Sequence, residues 1–268
     1  LAGTAAGQTT WYVDGDGSGP GSGTPGDPFE SIQYCLEHRS VSDGDRILVM
    51  PGTYDENIDF VGKSVALIAM DGPATTIIDA GGAGSAVSVI TGEGLGTLID
   101  GFTIRGGVGT QAFGPDRAGG GLLLASSRLE VYCCIFEQNT AVLGGGIFVL
   151  DGNLYAYDTE FRNNTATAGQ PGIFEDGDGG AVYGTLNGIL TFEKCLFDTN
   201  IAGGEILNSI GRGGALFVSD ASLVVDQCTF VDNLASCNAL QGNAQGGAIY
   251  ADDQSMLDIR GTTFDTNI

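Results

Sequence analysis

One histidine, one tryptophan and ten basic residues among 268 limit what this chain can do. The shortage of cations is the most restrictive. Asp and Glu number 33, so the formal net charge at pH 7 is −23. Phosphate binding needs clustered cations, which excludes duplex or single-stranded nucleic acid as a partner. An anionic membrane surface falls for the same reason. No apolar run nears the ~20 residues that cross a bilayer as a helix, so no membrane insertion of this segment is expected. The single His38 and the lack of any CxxC argue against a zinc site. Neither a Walker nor a dinucleotide fingerprint occurs. No signal peptide opens the chain as given; "LAGTAAGQTT" reads as a mature N-terminus or a linker.

Glycine is what the chain has in excess, with 46 residues, roughly one in six against a usual ~7%. Hydrophobic residues reach 42%, enough for a core. Residues 1–26 read as an N-terminal segment with a first strand and a Gly/Asp-rich loop. "GDPFESIQYCLEHRS" signals a helix over 27–40. Asp27 is the expected N-cap, Pro28 fits N1, and Glu30 completes a capping box. Phe29, Ile32, Cys35 and Leu36 form its apolar face. His38 and Arg39 fall in its last turn, where positive charge suits the dipole. From residue 46 onward, short β-rich runs alternate with Gly, Pro and Asp, which predicts an all-β architecture.

An internal repeat fixes which one. Gly120, Gly145, Gly180, Gly214 and Gly247 precede Phe136, Phe161, Phe197, Phe230 and Phe264 by 16 or 17 residues. Three residues after each Phe stands Asn139, Asn164, Asn200, Asn233 or Asn267. This half of the unit is rigid in length. The other half varies: 5 residues at 140–144, 15 at 165–179, and 13 at both 201–213 and 234–246. A fixed apolar half and a variable polar half are what a solenoid requires, with strands at constant register and insertions leaving one face. Phe then fills the lumen. Asn takes the left-handed turn geometry open to it and bonds neighbouring backbone as a stacked ladder. Cys134, Cys195, Cys228, Thr159 and Thr262 make a column of small residues, two before each Phe. Cys133 and Cys237 remain as possible disulfide partners.

"GDPFESIQYCLEHRSVSDGDRILVMPGTYDENIDFVGKSVALIAMDGPATTIIDA" resembles the start of right-handed parallel β-helix proteins of the pectin-lyase-like superfamily. The later GG[GA]…FxxN repeats resemble those of the chlamydial polymorphic outer membrane proteins and related bacterial surface proteins. The resemblance covers roughly 27–268. It implies a right-handed, single-stranded parallel β-helix (a solenoid) with an N-terminal capping α-helix at 27–40, N-terminal coils over 46–107 and five GG…FxxN coils over 119–268. It fixes no activity, because this fold hosts lyases, hydrolases, adhesins and spikes.

Lyases of this superfamily use a basic residue to abstract a proton, and cations, often calcium, to neutralise a uronate. Arg105, Arg117 and Arg212, near the variable turns, are the candidate cluster here. No Gly-His-Gly element of the related hydrolases is present. The long turns at 105–119, 165–179, 201–213 and 234–246 should form walls around the short turn at 140–144. Phe113, Asp116, Phe174, Glu175 and Glu205 would line that ligand-binding face. Asp14 and Asp16 in "DGDGSG", with Asp176 and Asp178 in "EDGDGG", place carboxylates at alternate positions, as a calcium site would. Neither stretch has the distal Glu of an EF-hand. The expected function is an extracellular or cell-surface module with a structural or adhesive role. The alternatives are a calcium-assisted polysaccharide lyase and a non-catalytic polysaccharide-binding module. Expected partners are an extracellular polysaccharide, or another copy or continuation of the helix at the open C-terminal coil.

Overall fold

The computed structural model describes residues 8–17, 19–167, 176–203, 210–237, 244–252 and 254–268. Successive coils lay their strands side by side in parallel. A nine-stranded sheet starts at Thr10–Val13 and Arg46–Val49, continues through Arg128–Tyr132, Asn153–Tyr157 and Ile189–Glu193, and ends at Met256–Arg260. An eight-stranded sheet runs from Gly52–Tyr54 to Thr263–Asp265, and a seven-stranded sheet from Ile58–Asp59 to Ile249–Ala251. A four-stranded ladder begins at Thr140–Ala141, and Gly177–Asp178 pairs with Gly211–Arg212. Spatial order follows chain order within each sheet, which is the signature of a solenoid. The expected all-β parallel β-solenoid is the fold.

One coil shows the circuit. Ile147–Leu150 joins the seven-stranded sheet, Asn153–Tyr157 the nine-stranded, Glu160–Arg162 the eight-stranded, and Thr165–Thr167 the four-stranded ladder. The next coil repeats each step in matched register. The chain turns between these strands through left-handed backbone at Gly144, Asp151, Asp158 and Asn163, with φ of 64°, 48°, 49° and 54°. Outside glycine that geometry costs about 1–2 kcal/mol per residue. It persists because stacked neighbours impose the same bend. Gly145 solves a different problem: a Cβ there would lie 2.4 Å from the Gly180 carbonyl oxygen of the next coil. The glycine pair therefore serves one corner and one close approach.

The lumen follows the repeat. Phe136, Phe161, Phe197 and Phe230 are fully buried. Their rings stack at centroid distances of 5.3, 4.7 and 4.5 Å. Asn139, Asn164, Asn200 and Asn233 are buried beside them. Each Asn Nδ2 donates to the Oδ1 of the next Asn, as Asn164 does to Asn200 at 3.0 Å. The same Nδ2 also donates to the carbonyl of the preceding coil's ladder strand, as Asn164 does to Phe136 at 2.8 Å. The expected left-handed asparagine is corrected. Positive φ falls one residue earlier, at Gln138, Asn163, Thr199, Asp232 and Thr266. The ladder Asn itself turns inward, because its amide is needed between coils. In the last coil Phe264 is 47% exposed, so its ring is covered on one side only.

The N-terminal helix contracts from the expected 27–40 to Ile32–Glu37. Its N-cap is Ser31, whose hydroxyl accepts from the Tyr34 N–H at 3.1 Å; Asp27, Pro28 and Glu30 lie ahead of it. The carboxylate at its start comes from Glu56, which accepts from the N–H groups of Ile32 and Gln33 at 3.0 and 2.8 Å. At the other end His38 is the extended C-cap, and Arg39 lies beyond the helix. The Lys63 ammonium donates to the Leu36 and His38 carbonyls instead. Both ends are thus satisfied from distant sequence. Ile32, Cys35 and Leu36 join the core as expected.

Candidate functional site

The chemistry-bearing residues divide between the roots of the variable turns and the outer faces of the sheets. At one root, Asp178 and Arg212 are register partners on adjacent coils. Arg212 Nε donates to Asp178 Oδ1 at 2.9 Å and Nη2 to Oδ2 at 2.6 Å. Nη2 also reaches Asp176 at 3.2 Å. The guanidinium lies 5.1 Å from the centre of the Phe217 ring and 6.0 Å from that of Tyr250. Those rings continue an outer stack with Phe148 and Tyr183, at spacings of 5.4, 4.7 and 5.2 Å. The two aspartates expected to share a cation are therefore held by an arginine.

Burial pushes the Asp178 carboxyl up to about 6, while Arg212 pulls it down. The folded chain then holds this proton more tightly than the unfolded chain, whose Asp titrates near ~3.9. The contribution of Asp178 to stability is greatest below about pH 4 and falls as pH rises through about 6, by roughly 2–3 kcal/mol at most. Urea unfolding of the wild type, referenced to Asp178→Asn at each pH, should show this fall. A difference that stays flat between pH 4 and 6.5 would refute it.

The three candidate arginines do not converge. Arg105 pairs with Asp79 at 2.8 Å on the eight-stranded sheet. Arg117 precedes Ala118, which is linked by bridges through Leu143 to Asp178, the register partner of Arg212. Three such steps at ~4.8 Å put Arg117 roughly 14 Å from Arg212. Arg117 Nη1 donates to the Gly109 carbonyl at 3.4 Å, beside a cleft of about 420 Å³ that includes Thr110 and Gln111. Phe113 is 50% exposed in the same excursion, and one Asp116 carboxylate oxygen there is buried without a hydrogen bond. Phe174, Glu175 and Glu205 lie outside the described residues.

Asp14 and Asp16 share an open cleft of about 520 Å³ with Asp27. The Asp14 carboxylate is occupied locally by the Asp16 N–H at 3.1 Å. Among the described residues no three His, Cys, Asp or Glu side chains converge as a metal-binding group. His38 packs its ring near Phe29, Trp11 and Tyr34, at 5.1, 5.9 and 6.2 Å.

The small-residue column is buried as expected and is also polar. The N–H groups of Cys134, Cys195 and Cys228 donate to Thr159 Oγ1, Cys228 Sγ and Thr262 Oγ1 of the next coil, at 3.4, 3.3 and 3.3 Å. Burial pushes the Cys134 thiol up to about 12, which keeps it protonated and unreactive. Cys133 is an exposed free thiol at a coil corner, so it forms no disulfide with Cys237.

Sequence reasoning missed the outer face of the nine-stranded sheet. Tyr132, Tyr155 and Tyr157 project there with ring centres 5.9 and 6.1 Å apart. The signal was present as period-two alternation in "RLEVY" and "NLYAY", where every second residue points outward.

The profile of the Chlamydia polymorphic membrane protein repeat matches residues 158–185 and 227–252. Each stretch contains one FxxN and the glycine pair that follows it. Among solved structures, pectin methylesterase PemA from Erwinia chrysanthemi has a TM-score of 0.53 and 10% identity, over 97% of this chain and 90% of that one. Pectin methylesterase from Aspergillus niger has a TM-score of 0.48 and 13% identity, over 98% and 86%. That from carrot has 0.45 and 11%, over 99% and 86%. At such identities the likeness is one of fold. No curated protein sequence matches the chain. Among the described residues no helix is long and apolar enough to cross a membrane. The chain is a parallel β-solenoid of pectin-lyase-like fold, two stretches of which match the repeat of the Chlamydia polymorphic membrane proteins.

Proposed function

We propose that the chain is an extracellular or cell-surface module with a structural or adhesive role, acting through its outer faces and not through covalent chemistry. One observation carries this reading. Arg105, Arg162 and Arg212 each bind the carboxylate at the register-matched position of the preceding coil: Asp79, Glu137 and Asp178. A lyase base, or a cation that neutralises a uronate, has to face the substrate. These cations face the neighbouring coil, where they fasten one turn of the solenoid to the next. The surface-protein repeat supports the same reading.

The test is direct. Incubation with pectate, alginate or glycosaminoglycans in the presence of calcium should give no absorbance from unsaturated products. A clear signal that Arg117→Ala or Arg212→Ala abolishes would overturn the proposal in favour of a calcium-assisted polysaccharide lyase.

A further inference from the structure

The outer face of the nine-stranded sheet carries three rows of residues in register, one coil apart. Arg128, Asn153 and Ile189 form the first, Glu130, Tyr155 and Thr191 the second, and Asp100, Tyr132, Tyr157 and Glu193 the third. A cleft of about 250 Å³ opens between Arg128, Asn153, Tyr155, Ile189 and Thr191. Ile189 is 49% exposed and adds an apolar side chain to the cleft lining. The tyrosine hydroxyls are oriented by carboxylates: Tyr155 donates to Glu193 at 2.9 Å and Tyr132 to Glu130 at 3.1 Å.

From this arrangement we propose that the face binds a neutral oligosaccharide, with Tyr155 as the stacking platform. The inference rests on the surface-module reading and names a ligand for it. A sugar ring presents C–H groups on its faces and hydroxyls at its rim. An aromatic ring beside fixed polar groups meets both needs. The Tyr155 hydroxyl donates to Glu193 and keeps its own lone pairs for a sugar O–H. Asn153 supplies an exposed amide at the rim.

Charge selects among ligands. Glu130, Glu193, Asp100 and Asp158 surround the face and repel a polyanion. A cationic ligand would compete with Lys194 and Arg128, which already stand beside these carboxylates. The Lys194 ammonium stands 4.9 Å from the Tyr157 ring centre and donates to its hydroxyl at 2.8 Å. Arg128 stands at the other end, 3.5 Å from Glu130. An uncharged polyol meets neither objection. The cleft is smaller than the ~300 Å³ at which drug-sized sites begin, so it has room for about one or two sugar units and binding is weak.

Affinity gel electrophoresis with hydroxyethylcellulose, xyloglucan, laminarin and galactomannan tests this. At least one of them should retard the protein, while polygalacturonate should not. Tyr155→Ala should weaken the retardation about tenfold or more, and Tyr155→Phe, which keeps the ring, by less than half that factor. Asn153→Ala, at an exposed position, should weaken it about threefold with an unchanged circular dichroism spectrum, which keeps the test valid if Tyr155→Ala fails to fold. Retardation by none of the four glycans, retardation indifferent to Tyr155→Ala and Asn153→Ala, or stronger binding to polygalacturonate or poly-L-lysine would overturn the proposal. Release of new reducing ends or unsaturated products from a bound glycan would instead overturn the surface-module reading and leave the Tyr155 site standing.

Discussion

Asn200→Ala is expected to lower the unfolding free energy by about 3–5 kcal/mol, although it removes only a carboxamide. Asn200 Nδ2 donates to the Phe161 carbonyl at 2.8 Å and to Asn233 Oδ1 at 2.9 Å. Its Oδ1 accepts from the backbone N–H and the Nδ2 of Asn164, at 3.1 and 3.0 Å. Asn164, Asn200 and Asn233 are all fully buried. Alanine therefore leaves the Asn164 N–H without its partner and takes a hydrogen bond from the Phe161 carbonyl, in a place water does not reach. Each buried group left unpaired costs about 1–3 kcal/mol, and partial relaxation recovers some of that. Asn200→Asp should be worse at neutral pH. Its second oxygen would face the Phe161 and Asn233 oxygens that now accept hydrogen bonds. That environment raises the folded-state pKa above the unfolded ~3.9, so the penalty is smallest below about pH 4 and grows as pH rises. Urea unfolding gives the magnitude. Hydrogen exchange should rise first at 161–167 and 196–203, since solenoid stability is a sum of nearest-neighbour terms. A loss under 1 kcal/mol would mean that the ladder is decorative.

How this ladder was legible, and where reading stopped, follows from what a repeat encodes. The interval from glycine pair to Phe to Asn is set by strand lengths and corners, and five copies of it reported a solenoid with fixed register. The conformation of the Asn was not encoded in the same way. Left-handed propensity pointed to Asn139, yet the bend sits at Gln138, because the interior amide does more between coils than at a corner. The helix ends were illegible for a related reason. Glu56 lies 25 residues from Ser31, and Lys63 lies 27 from Leu36. No window around residue 30 contains either partner. The arginines were read as a cluster because they lie in or near the variable turns, but Arg105 and Arg212 each had a carboxylate waiting one coil away, and Arg117 turns to the Gly109 carbonyl. Tyr155 was passed over because outward residues on a sheet read as ordinary surface. Only stacking brings it beside Tyr132 and the Glu193 carboxylate.

Phe197→Ala should be the costliest single change in the lumen, at about 3–5 kcal/mol. The ring is fully buried. It stacks on Phe161 at 4.7 Å and on Phe230 at 4.5 Å, with interplanar angles of 5°, and meets the edge of Phe192 at 5.2 Å. The spacing of the stack is not a preference of the rings. Phe161, Phe197 and Phe230 are register partners in parallel strands, and strands ~4.8 Å apart hold equivalent rings at that distance. Removing one ring therefore cannot be healed by sliding the others together, because the backbone ladders on all sides keep the coils apart. The cavity stays open and its cost is close to the upper range for a buried aromatic. Phe264 occupies the same place in the repeat, with its ring 47% exposed and one stacking partner, Phe230 at 5.0 Å. Phe264→Ala should cost only about 1–2 kcal/mol. Side-by-side denaturation of the two variants separates residue type from position. Equal losses would show that the stack contributes nothing beyond the hydrophobicity of each ring. A gap of about 2 kcal/mol or more would show that the repeat is stable because its neighbours enclose it.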